Sequence, residues 1–118
     1  MKRILLVDDN PANRELLREI LELDSHEVTE AEDGVNALRL YEELKPDLTI
    51  LDLQMPGLDG FQTLEGILAR DRNAVVVAVT AFAMRGDKER ALAAGFREYI
   101  TKPVEMTHLR IRVRELLS

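Results

Sequence analysis

Four separated stretches carry side chains that could do chemistry together: Asp8-Asp9, Asp52, Thr80 and Lys102-Pro103. Brought to one place, they would crowd three carboxylates around one ammonium and one hydroxyl. Two ionised carboxylates at about 4 Å repel by about 4 kcal/mol at an effective dielectric of about 20, so something positive has to hold them. Oxygen-only donors, with neither His nor Cys among them, suit a hard cation. A shallow site with few protein ligands and several waters suits Mg2+ better than Ca2+, and Mg2+ takes phosphate as a further ligand. A carboxylate beside Mg2+, with a Lys ammonium and a Thr hydroxyl placed to receive oxygens, can attack a phosphoryl group whose charge those partners stabilise. Asp52 is assigned as that nucleophile because it ends the central apolar run. Asp8 and Asp9, one strand away, are better placed as metal ligands. Lys102 should pair with the bound phosphoryl group and with the unmodified Asp52 carboxylate.

Each of these stretches closes a short apolar run, and the runs must position them. Residues 4–7, 48–51 and 75–79 are almost wholly apolar and rich in β-branched side chains, as parallel strands covered on both faces should be. Residues 28–31 and 99–101 mix in polar side chains and suit strands nearer the sheet edges. Between the runs lie helical stripes: Leu16, Leu17, Ile20 and Leu21; Phe61, Leu64, Ile67 and Leu68; Met106, Leu109, Val113 and Leu116. Asn10 is the expected N-cap before Pro11, Asp59 caps a helix beginning at Gly60, and Gly95 ends the segment 84–94. A five-fold βα alternation with short connections predicts an α/β domain with an open, doubly wound parallel sheet. Ligands of such sheets sit beyond the carboxyl ends of the strands, where the acids, Thr80 and Lys102 are placed.

The chain has 118 residues, 46% hydrophobic and 32% charged, which fits one domain over 1–118. Without cysteine there is no disulfide framework, thiolate metal site or thiol nucleophile. The net charge is −6 and the 16 Lys and Arg residues form no block, so direct nucleic-acid contact is not expected. Aromatic residues make up only 4%, too few to stack bases or a flavin ring. No apolar run is long enough for a signal peptide or membrane insertion, and a cytoplasmic location is expected.

At these separations the residues resemble the receiver domain of two-component response regulators, along the whole chain. The stretch Leu51-Asp52-Leu53-Gln54-Met55-Pro56-Gly57-Leu58-Asp59-Gly60 is similar to that family's phosphorylation loop, and Gly95-Phe96-Arg97-Glu98-Tyr99-Ile100-Thr101-Lys102-Pro103-Val104 supports the likeness. The resemblance implies a five-stranded, flavodoxin-like sheet of order 2-1-3-4-5 with five helices. It implies that Asp52 accepts a phosphoryl group from a sensor histidine kinase or a histidine phosphotransfer protein. Asp9, Asp52 and the backbone carbonyl of Gln54 would ligate Mg2+, with Asp8 acting mainly through a bound water. Thr80 would hydrogen-bond the phosphoryl group. Tyr99 would turn inward behind it, coupling the charge change to a face where a downstream protein effector binds. The implied protein is a switch that promotes its own phosphorylation and dephosphorylation, as a monomer or a phosphorylation-dependent dimer, and not a conventional enzyme. Its Lys102-Pro103 bond would be cis. Thr80-Ala81-Phe82-Ala83-Met84-Arg85-Gly86-Asp87 looks most like stand-alone cell-cycle receivers and the receivers of hybrid kinases. Gln54 and Phe82 flank the expected path of hydrolytic water, with bulky Phe82 expected to shield the acyl phosphate.

Plainer readings compete at each position. Asp8-Asp9 alone could merely cap a helix, Thr80 could be an ordinary strand-end hydroxyl, Tyr99 a half-buried strand residue, and Gly57 and Gly60 turn residues. The 84–92 stripe reads as core, and His26 and His108 as solvent-facing. Arg110, Arg112 and Arg114 read as a solvated face pairing with local acids, with docking to an acidic partner as the other reading. Among rival functions, a haloacid-dehalogenase-type phosphatase also uses a strand-end Asp with Mg2+, but it needs a second acid where this chain has Gln54. A flavodoxin-like electron carrier would need small residues where Asp8-Asp9 stand. A receiver-like scaffold that binds partners without phosphorylation is the remaining alternative. A natural single-domain regulator and a receiver cut from a longer protein both stay open, with the opening Met1 inclining to the first.

Overall fold

The computed structural model describes residues 2–81 and 84–118. Five βα units follow in order: β1 (Arg3–Val7), α1 (Pro11–Glu22), β2 (Glu27–Ala31), α2 (Gly34–Leu44), β3 (Leu48–Asp52), α3 (Gly60–Arg70), β4 (Val76–Thr80), α4 (Asp87–Ala94), β5 (Glu98–Thr101) and α5 (Met106–Leu117). The strands form one parallel sheet in the order β2-β1-β3-β4-β5. This is the doubly wound α/β architecture expected from the alternation, and every expected strand is present.

Continuous apolar runs become strands here because both faces of the sheet are covered. Every residue of β3 and β4 is buried, and β1 is buried beyond Arg3. Alternate side chains point to opposite faces. Ile4, Leu6, Leu48, Ile50, Val77 and Val79 pack with Leu17, Ile20 and Leu21 of α1 and Leu109 and Val113 of α5. Leu5, Val7, Leu51, Val76 and Ala78 meet Ala37 and Tyr41 of α2, Leu64 and Ile67 of α3 and Ala91 of α4. Burying one such Leu, Ile or Val side chain contributes about 1.5–3 kcal/mol, so the ends of the central strands sit on the most heavily packed part of the molecule.

The helix starts follow local chemistry. The Asn10 side chain accepts from the amides of Ala12 and Asn13 at 2.9 and 3.1 Å, with Pro11 at the first helical position. Asp59 and Gln62 form a reciprocal capping box at α3. Asp33 caps α2, a helix expected from the alternation alone.

Several expectations are corrected. Leu16 is 55% and Met106 45% exposed, so both lie at the margin of their helical faces, outside the packed stripe. The fourth helix begins at Asp87, because Gly86 takes a left-handed φ of +88° just before it. Met84 and Leu92 point outward and only Ala91 of α4 is buried, so the 84–92 stripe is not core. What pins α4 is lateral: the Arg90 guanidinium lies 4.2 Å from the centre of the Phe61 ring, which meets Phe96 edge-on at 5.7 Å. Gly57, with φ +77°, is a turn residue, but Gly60 is required by close approach: a Cβ there would lie 2.6 Å from Leu53 Cα and 2.7 Å from the Asp52 carbonyl.

His26 is half-buried, with Nδ1 covered and unpartnered among the described residues, and burial holds its pKa below the usual value. His108 is exposed as expected. On α5, Arg110 grips Asp24 at 2.6 and 3.0 Å and Arg112 pairs with Glu98 and Glu115, which is the local-acid reading of that face.

Candidate functional site

Three features of the sheet bring the sequence-distant groups together. The register sets Val7 beside Leu51, Asp52 beside Val79 and Thr80 beside Thr101, so adjacent strands end at one level. The Asp8 amide donates to the Ala31 carbonyl at 3.2 Å and the Leu53 amide to the Val79 carbonyl at 3.0 Å, carrying backbone pairing past the strand ends. The Lys102 amide donates to the Thr80 carbonyl at 2.8 Å, which ties the loop after β5 to the end of β4. The Lys102-Pro103 bond is cis.

Asp8 and Asp52 are buried, whereas Asp9 is exposed, and each offers a carboxylate oxygen within 4.8 Å of the others. Lys102 Nζ donates to Asp8 Oδ2 at 3.0 Å and to Asp52 Oδ2 at 3.2 Å. The pairing with Asp52 is the expected one; the equal hold on Asp8 is not legible in the sequence. The remaining oxygens are also engaged: Asp8 Oδ1 accepts from the Asn10 amide at 2.9 Å, and Asp52 Oδ1 from the Gln54 amide at 3.0 Å. Among the described residues the Asp9 carboxylate has no hydrogen-bond or ion-pair partner, which leaves its lone pairs open.

Burial pushes the pKa of Asp52 above its ordinary value, and the neighbouring Asp8 charge adds to this; the Gln54 amide and the Lys102 charge oppose it without prevailing. Burial alone would lower the pKa of Lys102, but the hydrogen bond to Asp8 and the two carboxylate charges outweigh it and hold the ammonium above its usual range. Lys102 is therefore a fixed positive charge and Asp52 an acid that ionises reluctantly. Three carboxylates against one ammonium leave negative charge for a cation to balance. The donors are all oxygen, two carboxylates are fixed and the third opens to water, so the residues fit Mg2+.

Thr80 is buried at the end of β4. The Tyr99 ring packs against the core shared by α2, α3 and α4, and its hydroxyl is buried with no partner among the described residues. Burial raises the Tyr99 pKa, and the charges of Asp87 and Glu89 in the first turn of α4 raise it further. Phe82, expected to shield the site, lies outside the described residues. Gln54 is exposed, with its amide turned to Asp52. Sequence reasoning overlooks Arg14, whose guanidinium donates to the Asp8 carbonyl at 2.7 Å; the available signal was its place one turn into the helix that follows the acids.

A parallel sheet of this order, with acids and a lysine converging at its carboxyl edge, defines a receiver-type domain. The chain belongs to the response regulator receiver domain family, which matches residues 4–114, and is a receiver domain of two-component signalling. Over 107 residues it is 37% identical to the polar-differentiation response regulator DivK of Brucella anthropi, covering 89% of this chain and 87% of that protein. The receiver domain of a sensor histidine kinase from Pseudomonas aeruginosa, solved with magnesium in its active-site cleft, superposes with a TM-score of 0.90 at 33% identity over 98% of this chain and 97% of that one. A chain of the CheX–CheY–BeF3–Mg2+ complex of Borrelia burgdorferi gives a TM-score of 0.93 at 27% identity, covering 99% and 90% of the two chains. Among the described residues, no helix is long and apolar enough to cross a membrane.

Proposed function

We propose that the chain is a Mg2+-dependent phosphoacceptor switch. An Asp52 carboxylate oxygen attacks the phosphorus of a phosphohistidine on a sensor kinase or histidine phosphotransfer protein. The P–N bond breaks, the imidazole keeps the electron pair, and an acyl phosphate forms on Asp52. The observation that carries this reading is the Lys102 ammonium held between Asp8 and Asp52 at 3.0 and 3.2 Å, beside an exposed Asp9. Asp9, Asp52 and the Gln54 carbonyl would hold Mg2+, with Asp8 through a water, and the ion would neutralise charge on the transferring oxygens. Lys102 steadies the carboxylate before transfer and receives a phosphoryl oxygen after it. Thr80 hydrogen-bonds another oxygen, and Tyr99, packed beneath α4, couples the added charge to the face formed by α4, β5 and α5. A downstream protein effector reads that face in the cytoplasm.

Intact mass after incubation with acetyl phosphate, with and without Mg2+ and alongside Asp52→Asn, tests the reading. One added phosphoryl group that needs both Mg2+ and Asp52 supports it. If no adduct accumulates, beryllofluoride replaces the donor; a failure to bind that as well refutes the switch in favour of the phosphorylation-independent scaffold.

A further inference from the structure

Asp9 is the acid with the least to hold it. Asp8 is fixed at its amide by Ala31 at 3.2 Å and at its carboxylate by the Asn10 amide and Lys102. The exposed Asp9 side chain has no such partner among the described residues. What orients it is the peptide that joins it to Asp8, because the Asp8 carbonyl and the Asp9 amide lie in one rigid plane. Arg14 holds that plane: its Nη1 donates to the Asp8 carbonyl at 2.7 Å while its Nε donates to Glu30 Oε1 at 3.0 Å. The Arg14 side chain is only 16% exposed. Glu30 on β2 is itself held from its other oxygen by Arg18 Nη1 at 2.5 Å. Two arginines of α1 thus clamp one carboxylate of the edge strand, and the fork of Arg14 passes that fixity to the acid loop. A guanidinium can do this because its donors diverge in a fixed plane; an ammonium presents one point charge.

We infer that Arg14 is a positioning residue for cation binding, orienting the Asp8–Asp9 peptide so that the Asp9 carboxylate faces the site; the inference rests on the Mg2+ reading above. Its charge and its geometry act in opposite directions. A positive charge near the carboxylates opposes a second cation, so deleting it should by electrostatics alone tighten Mg2+ binding. Loss of the held peptide should weaken it.

The test is the Mg2+ dissociation constant of the unphosphorylated protein, from amide chemical-shift titrations of wild type, Arg14→Met, Arg14→Lys and Glu30→Ala, with Asp9→Asn as the site control. Arg14→Met should weaken binding about tenfold, the lower end of what outer-shell groups contribute, and Arg14→Lys should fail to restore it. Glu30→Ala, which frees the guanidinium without touching the acids, should weaken it about threefold. Tighter binding in Arg14→Met with an unchanged Arg14→Lys would reduce Arg14 to its charge. An unchanged constant with a lower melting temperature would make the clamp purely structural. Either result overturns the inference while leaving the proposed function intact. Should the Arg14 variants fail to fold, an unchanged constant in Glu30→Ala overturns it alone. Wild type without a Mg2+-dependent shift, or with one that survives Asp9→Asn, brings down the Mg2+ reading and the inference with it.

Discussion

Asp52→Asn should make the protein more stable at neutral pH, although it removes one partner of an ion pair. At 3.2 Å the Lys102 ammonium attracts the Asp52 carboxylate by about 5 kcal/mol at an effective dielectric of about 20, while Asp8, within 4.8 Å, repels it by about 3.5 kcal/mol. The surplus attraction of about 2 kcal/mol has to offset the several kcal/mol needed to strip water from a buried carboxylate, and it falls short. That shortfall is what a pKa raised above the ordinary 3.8 expresses. The native state binds this proton more tightly than the unfolded chain does. The stability it contributes is therefore fully present below 3.8 and is lost as the pH rises through the raised folded value. Asn matches the shape, can keep the acceptor for the Gln54 amide, leaves Lys102 paired with Asp8 and carries no charge. The expected gain at pH 7 is about 1–2 kcal/mol, read as a higher urea midpoint and a melting temperature up by about 3–6 °C per kcal/mol. As the pH falls toward 4 the gain should shrink, because the wild-type acid takes up its proton. A less stable Asn variant at pH 7, or a gain independent of pH, would refute this electrostatic reasoning.

Thr49 is wholly buried with its hydroxyl unpartnered among the described residues, so Thr49→Val should raise the urea midpoint by the equivalent of about 1 kcal/mol and leave phosphoacceptance unchanged. A Cβ on Gly34 would sit 2.3 Å from Thr63 Oγ1 and 2.9 Å from the Leu58 carbonyl, so Gly34→Ala should lower thermal stability by about 1–3 kcal/mol. Gly66→Ala, which meets only the end of the Leu38 side chain at 2.7 Å and gains about 1 kcal/mol of helix propensity, should be near neutral in the same assay. Burial depresses the pKa of His26 below 6.5, so its contribution to stability is present above that value and lost as the pH falls through the depressed one; His26→Phe should flatten the urea midpoint over that interval.

The strands are legible because burial on both faces demands unbroken apolar runs, and few other structures need Leu48-Thr49-Ile50-Leu51 or Val76-Val77-Ala78-Val79. The acids are legible because parallel sheets bind at their carboxyl edges. Periodicity does less well where an apolar side chain lies at the margin of a covered face: Leu16 and Met106 share the spacing of their stripes and still meet solvent. It fails at α4, where the 84–92 stripe reads as core although Met84 and Leu92 meet solvent and, of the eight helical residues, only Ala91 is buried. Arg14 is hidden for another reason. In an acidic chain, an arginine in the first helix reads as a solvated charge until pairing of β1 with β2 brings Glu30 to it.

The site sets buried carboxylates on the least yielding backbone in the molecule. Leu6, Val7, Leu51 and Val79, at or near the ends of β1, β3 and β4, are 2% exposed or less, so Asp8 and Asp52 cannot relieve their repulsion by moving apart. Relief has to come from a change of charge, whether a proton on Asp52 or a cation beside it. On the proposed reading a phosphoryl group adds negative charge that Lys102 alone cannot balance, and the resulting rearrangement should fall on the least anchored neighbour. Among the described residues that neighbour is α4, held by Ala91 and one cation–π contact near Tyr99, whose covered hydroxyl feels the acidic first turn of the helix. Amide exchange with and without beryllofluoride and Mg2+ should therefore change most over residues 84–101 and least in Leu48–Asp52. Equal changes in the two segments would show that the packed strands yield together with α4, and the argument from rigidity would be wrong.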